Sequence, residues 1–154
     1  MGKPKILIVD DEHHIRMLYS EELSSEGYEV RTTDGSGNIL DILAETKPDL
    51  VVLDIKLGKN RSGLDLLQKI RMNNKTLPII LCSAYESYQD DLKTMAADDY
   101  VVKSFNVGEL KEKIKKLLQL HEQPLPDDLS FILADINTAL HHGSPIGSRG
   151  NRSS

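Results

Sequence analysis

Apolar residues fall along this chain in short unbroken runs and in helical stripes, and the two kinds alternate. Ile6-Leu7-Ile8-Val9, Leu50-Val51-Val52-Leu53 and Pro78-Ile79-Ile80-Leu81-Cys82 carry no polar face. Runs of that length and composition read as strands buried on both sides, which belong in the interior of a parallel sheet. Tyr28–Thr33 instead alternates, with Tyr28, Val30 and Thr32 on one side and Glu29, Arg31 and Thr33 on the other. That pattern suits an edge strand with one wet face. Between the runs, apolar residues recur at helical spacing. The predicted order is strand Lys5–Val9, helix Glu12 to Glu26, strand Tyr28–Thr33 and helix Ile39 to Thr46. Strand Leu50–Asp54, helix Leu64 to Asn74, strand Leu77–Cys82 and helix Glu86 to Ala97 follow, then strand Asp99–Val102 and helix Val107 to His121. Strict strand–helix alternation predicts an α/β domain, a parallel sheet covered by helices on both faces.

The pattern changes after residue 121. We expect one domain over 1–121, a linker at 122–126 (Glu-Gln-Pro-Leu-Pro) and a further amphipathic helix over 127–142. Leu129, Ile132, Leu133, Ile136 and Leu140 form its stripe, which suits packing back on the domain, docking or dimerisation. The Gly-, Ser- and Arg-rich stretch 143–154 reads as disordered. A length of 154 residues is enough for one sizeable core, and 39% hydrophobic with 28% charged residues fits a soluble protein. The net charge of −5 argues against a general nucleic-acid binder, which would show a basic footprint. Cys82 is the only cysteine, so no internal disulfide forms, and its apolar surroundings suit a small hydrophobe. With no secretory leader and no membrane-spanning run, the expected location is cytoplasmic.

The chemistry gathers where strands end. Ile6–Val9 runs into Asp10-Asp11-Glu12, Leu50–Leu53 into Asp54, and the third run into Ser83. In open parallel sheets the carboxyl ends of the strands form the ligand crevice. Side by side, these strands would place Asp10, Asp11, Asp54 and Ser83 on one rim. Crowded carboxylates repel unless a hard divalent cation shares them, and Mg²⁺ combines one or two carboxylates with water and phosphate oxygens. A carboxylate can also accept a phosphoryl group as an acyl phosphate. The alternative is that Asp10 or Asp11 caps the first helix and Asp54 the next turn. Lys103, at the end of the last strand, is either a solvated lysine or the ion-pair partner of that cluster.

Val9-Asp10-Asp11-Glu12, Leu53-Asp54, Cys82-Ser83-Ala84 and Tyr100-Val101-Val102-Lys103, in this order and spacing, resemble the receiver domain of two-component response regulators. The resemblance covers residues 4 to 120. It implies a flavodoxin-like (βα)5 doubly wound sheet of order 2-1-3-4-5, here with an extra C-terminal helix. It implies Asp54 as phosphoryl acceptor and Asp10 and Asp11 as the acidic Mg²⁺ pair, with the backbone carbonyl of Lys56 as another metal contact. Ser83 matches the switch hydroxyl, Tyr100 the switch aromatic, and Lys103 the lysine of the family pattern. The implied partners are a sensor histidine kinase or histidine phosphotransfer protein. A downstream protein would bind the face of the fourth helix, fifth strand and fifth helix. No direct nucleic-acid or membrane contact is implied, and a homodimer is left open. The chain departs from the pattern at Ser104, where the family has Pro, at Gly58, where it often has Pro, and in a loop from Asp54 to Gly63 about one residue longer than usual.

Two other classes compete. A haloacid-dehalogenase-type phosphatase would need a second Asp two residues after the nucleophile, where this chain has Lys56. An interaction module of receiver type that signals without phosphate is the main alternative. No enzymatic turnover beyond its own phosphorylation and dephosphorylation is expected. Gly35-Ser36-Gly37 lacks the third Gly of a dinucleotide loop, and His13-His14 and His141-His142 are adjacent pairs whose side chains diverge on a helix.

Overall fold

The computed structural model describes residues 2–84, 96–104 and 106–122. Among them are five strands and four helices: β1 (Lys5–Val9), α1 (His13–Ser25), β2 (Glu29–Thr33), α2 (Ile39–Thr46), β3 (Leu50–Asp54), α3 (Gly63–Asn73), β4 (Ile79–Ser83), β5 (Asp99–Val102) and α4 (Gly108–Glu122). The helix expected over 86–97 lies, apart from its last two residues, outside the described residues, so the helix after β5 is α4 here. The expected helix over 127–142 and the stretch 143–154 also lie outside them, and α4 runs through Glu122, the first residue of the expected linker.

The sheet is wholly parallel in the order β2-β1-β3-β4-β5, the flavodoxin-like arrangement. β3 is central and buried along its whole length, as a strand with no polar face must be. Alternate residues of each apolar strand feed two cores. Ile6, Ile8, Leu50, Val52, Ile80 and Cys82 face α1 and α4, meeting Tyr19, Leu23, Leu110 and Ile114. Leu7, Val9, Val51, Leu53, Ile79 and Leu81 face α2 and α3, meeting Ile39, Leu64, Leu67 and Ile70. Each such side chain, taken fully out of water, contributes roughly 1.5–3 kcal/mol of transfer free energy. This double burial is what the unbroken apolar runs encode.

Local chemistry sets the element ends. Asn38 Oδ1 accepts from the Leu40 N–H at 2.9 Å and caps α2, and Ser62 Oγ accepts from the Leu64 N–H at 3.1 Å and caps α3. Gly27, at φ 96°, follows the last turn of α1 and donates to the Ser24 carbonyl. Neither Asp10 nor Asp11 caps α1, which corrects that alternative. Glu12 occupies the cap position without a side-chain bond to the helix, and Asp10 Oδ1 accepts the Glu12 N–H at 2.9 Å just outside it. β2 is the edge strand expected, but its alternation breaks at the end, where Thr32 is exposed and Thr33 half-buried.

Arg71 ties the far end of the sheet together. Its guanidinium donates to the carbonyls of Ala96 (2.6 Å) and Leu77 (2.7 Å) and to Asp98 Oδ2 (2.9 Å), and that same oxygen accepts the Ile79 N–H at 2.8 Å. One side chain thus joins the end of α3 to the starts of β4 and β5.

Candidate functional site

Parallel register brings the strand ends together. Val9 lies beside Leu53, Asp54 beside Cys82, and Ser83 beside Val102. The residues that follow or close these strands therefore meet on one edge. Asp10, Asp54 and Ser83 are buried there, at 2%, 4% and 1% exposure, while Asp11 and Glu12 stay exposed. A concavity of about 400 Å³ is lined by Asp11, Glu12, Asp54, Lys56, Gly58, Ser83, Ala84 and Lys103.

Lys103 reaches back across it. Its Nζ lies 2.8 Å from Asp10 Oδ2, 3.0 Å from Glu12 Oε1 and 3.1 Å from Asp54 Oδ2. The Lys103 N–H donates to the Ser83 carbonyl at 2.7 Å, which seats the lysine at the end of β5. No peptide bond among the described residues is cis, so the Lys103–Ser104 bond is trans.

Burial, and then the Asp10 charge, raise the Asp54 carboxyl to about 6, with Lys103 opposing both. Burial also works against the Lys103 ammonium, but its hydrogen bond to Asp10, the charge of Asp54 and its hydrogen bond to Glu12 hold its pKa above the ordinary value. The hydrogen bond from Lys103 holds the Glu12 carboxyl below the usual carboxylate range. Within the α1-side core, the Tyr19 hydroxyl lies 3.7 Å from Cys82 Sγ, and burial pushes the Cys82 thiol up to about 11. The cysteine is a packed thiol, as its apolar strand suggests.

The loops that carry the acids are held tightly. The Arg16 guanidinium donates to the Asp10 carbonyl at 2.7 Å. Gly63 packs so closely on the backbone of Asp54 and Ile55 that a Cβ there would collide with the Asp54 carbonyl oxygen, and its N–H donates to the Ile55 carbonyl at 2.6 Å. Between Asp54 and Gly63 the loop folds on itself. Lys56 pairs with Ser62, and the Leu57 N–H donates to the Arg61 carbonyl at 3.3 Å. Ile55 and Leu57 are buried at 2% and 0%, so the two neighbours of Lys56 are anchored in the core. Beyond them, residues 58–61 are exposed.

Six of the seven candidate residues thus border one site: Asp10, Asp11, Asp54, Lys56, Ser83 and Lys103. Tyr100 does not line it. It sits half-buried in β5, packed against the α2–α3 core. Glu12, Arg16 and Gly63 are site residues that sequence reasoning assigned no role. Glu12 was visible only as the third acid of its run, and Gly63 only as the end of a loop.

Carboxylate oxygens of Asp10, Asp11, Glu12 and Asp54 all come within 4.8 Å of one another. One ammonium set against four carboxylates leaves the cluster strongly negative. Oxygen donors of this number, charge and spacing fit a hard divalent cation of the Mg²⁺ type.

The family model of the response regulator receiver domain matches residues 6–115. The chain is 32% identical over 122 residues to sporulation initiation phosphotransferase F of Bacillus subtilis, covering 78% of this chain and 98% of that protein. It is 35% identical over 121 residues to the "Probable transcriptional regulatory protein TcrX" of Mycobacterium tuberculosis, covering 77% of this chain but only 51% of that one. It therefore spans about half the length of that regulator. Among solved structures, response regulator TrrA of Thermotoga maritima in complex with Mg²⁺-BeF is similar at 49% identity and TM-score 0.70, covering 74% of this chain and 98% of that one. The same relative in complex with histidine kinase ThkA is similar at 48% identity and TM-score 0.65, over 75% of this chain and 98% of that one.

Proposed function

Because the chain belongs to the response regulator receiver domain family, we propose that it takes a phosphoryl group onto Asp54 in an Mg²⁺-dependent reaction and changes its protein partners when it does. The observation that carries this reading is the place of Asp54. It is buried at the end of the central strand, among three other carboxylates, with Lys103 Nζ 3.1 Å away. A lone buried carboxylate there would be unfavourable; one that shares a cation and receives a phosphoryl group is not.

In this reading an Asp54 oxygen attacks the phosphorus of a phosphorylated imidazole. The new O–P bond forms as the N–P bond breaks, and the imidazole nitrogen leaves with its electron pair. Asp10 and Asp11, with Asp54 and the Lys56 carbonyl, would hold Mg²⁺, which neutralises charge on the transferring group when bound. Lys103 supplies a fixed positive charge, and Ser83 a hydroxyl that donates to a phosphoryl oxygen. Attack of water on the acyl phosphate later returns the carboxylate and inorganic phosphate, so no external substrate is turned over. The donor is a sensor histidine kinase or histidine phosphotransfer protein, in line with the relative seen bound to its kinase. The readout is the face that includes β5 and α4, with Tyr100 on β5 as its aromatic element; the helix expected over 86–97 as the rest of that face lies mostly outside the described residues. Among the described residues no helix is long and apolar enough to cross a membrane.

The test is intact mass after incubation with a small phosphodonor such as phosphoramidate, with and without Mg²⁺, on wild type and Asp54→Asn. We expect an Mg²⁺-dependent gain of one phosphoryl group that the variant lacks. Undiminished labelling of the variant would remove Asp54 from its role. Failure of wild type with both a small donor and a kinase would favour a module that signals without phosphate.

A further inference from the structure

We propose that Glu12 is a positioning residue for Lys103. It holds one of the three ammonium protons in the resting protein and gives it up when a phosphoryl group arrives on Asp54. The inference rests on the acceptor reading of Asp54.

A lysine ammonium has three N–H donors and no more. Lys103 has three carboxylate oxygens around it, from Asp10, Glu12 and Asp54, all within 3.1 Å. Its donor set is therefore full in this state. To grip a phosphoryl oxygen it must release one carboxylate, and the three differ in what release costs. The side chains of Asp10 and Asp54 are 4% and 5% exposed, on rigid strand ends. Uncoupling either leaves a buried charge without its cation. The Glu12 side chain is 47% exposed, on a longer stem at the start of α1. Water replaces its partner at little cost, and its other oxygen already lies 3.6 Å from His14 Nε2. Glu12 is the partner that lets go.

The consequence is a pair of opposite effects. Glu12→Gln removes the charge that retains Lys103, so a phosphoryl mimic should bind more tightly. The same change removes one of the four clustered carboxylates, so Mg²⁺ alone should bind more weakly. An exposed ion pair of this kind corresponds to about a two- to five-fold change in the equilibrium.

The experiment is calorimetric titration of the full chain, first with Mg²⁺ alone and then with beryllofluoride at saturating Mg²⁺. Wild type, Glu12→Gln and Glu12→Asp are compared. We expect Glu12→Gln to bind beryllofluoride about two- to five-fold more tightly and Mg²⁺ a few-fold more weakly. Glu12→Asp keeps the charge on a stem too short to retain Lys103. It should therefore bind Mg²⁺ as wild type does and beryllofluoride as Glu12→Gln does. General damage to the site would weaken both ligands together and overturn the role, as would a variant that binds beryllofluoride no tighter than wild type. A wild-type chain that takes no beryllofluoride at all would overturn the acceptor reading itself, and the Glu12 role with it.

Discussion

Replacing Asp54 by Asn should stabilise the metal-free protein, and only at neutral to alkaline pH. The Asp54 carboxyl stands at about 6 against an ordinary 3.8, chiefly through burial and then through the Asp10 charge. The folded state therefore binds this proton more tightly than the unfolded chain does. The stability that this adds is complete below about pH 4 and is lost as pH rises through about 6. The gap corresponds to roughly 3 kcal/mol at about 1.36 kcal/mol per pH unit. Asn stands in for the neutral acid, so the variant should match wild type near pH 4 and exceed it by up to roughly 3 kcal/mol near pH 8. The assay is urea unfolding of both proteins in chelator across that range. Excess Mg²⁺ should close most of that gap near pH 8, because saturation at about a hundred times Kd adds about 2.7 kcal/mol to the protein that binds it. The variant has lost a ligand and gains less. A stability difference that does not vary with pH, or a variant less stable than wild type in chelator near pH 8, would refute the reasoning.

Gly63→Ala should cost about 1–3 kcal/mol or more, since the new methyl meets backbone at Asp54 rather than a side chain that can turn away; the urea midpoint measures this, and Mg²⁺ affinity should fall with it. Arg71→Ala should cost about 2–3 kcal/mol by leaving the Ala96 and Leu77 carbonyls and Asp98 without their charged donor, and hydrogen exchange should rise at the starts of β4 and β5. Lys103→Ala should leave Mg²⁺ binding within a few-fold of wild type while the amide shifts that phosphorylation produces along β4 and β5 disappear. Abolished metal binding in that variant would mean Lys103 has a different role.

The fold was legible because its elements are written redundantly. β3 and α2 carry the boundaries that the apolar pattern predicts, as does β5, and each has its own stop: Lys47 in the left-handed region and Pro48 before β3, and the acid at its end. Runs with no polar face could only lie in a sheet covered on both sides, which is where Ile6–Val9 and Leu50–Leu53 are. Where a single cue stood alone, the reading slipped. Among the described residues the edge strand β2 has only β1 beside it in the sheet, so no second strand enforces alternation at Thr32 and Thr33. The acids after β1 looked like caps because Asp commonly caps. The sheet instead places Asp10 under the reach of Lys103, and its other oxygen serves the backbone N–H of Glu12.

What was illegible depends on distance across the fold. Glu12 and Lys103 are 91 residues apart, and nothing local marks the glutamate as a partner of that lysine. Gly63 reads as a loop residue until α3 is laid on the end of β3, whereupon only a residue without Cβ fits. The acids themselves could be found because their placement is locally unfavourable. A polar group directly after a buried run needs a reason, and four carboxylates around one ammonium need a stronger one. That excess negative charge would also give the proposed switch its direction. Such a cluster favours an added cation, and a phosphoryl group on Asp54 would enlarge the demand for positive charge where β1, β3 and β5 all end. In the proposed reading Lys103 meets that demand by exchanging Glu12 for a phosphoryl oxygen, which would turn a chemical event on β3 into a rearrangement between β5 and the start of α1.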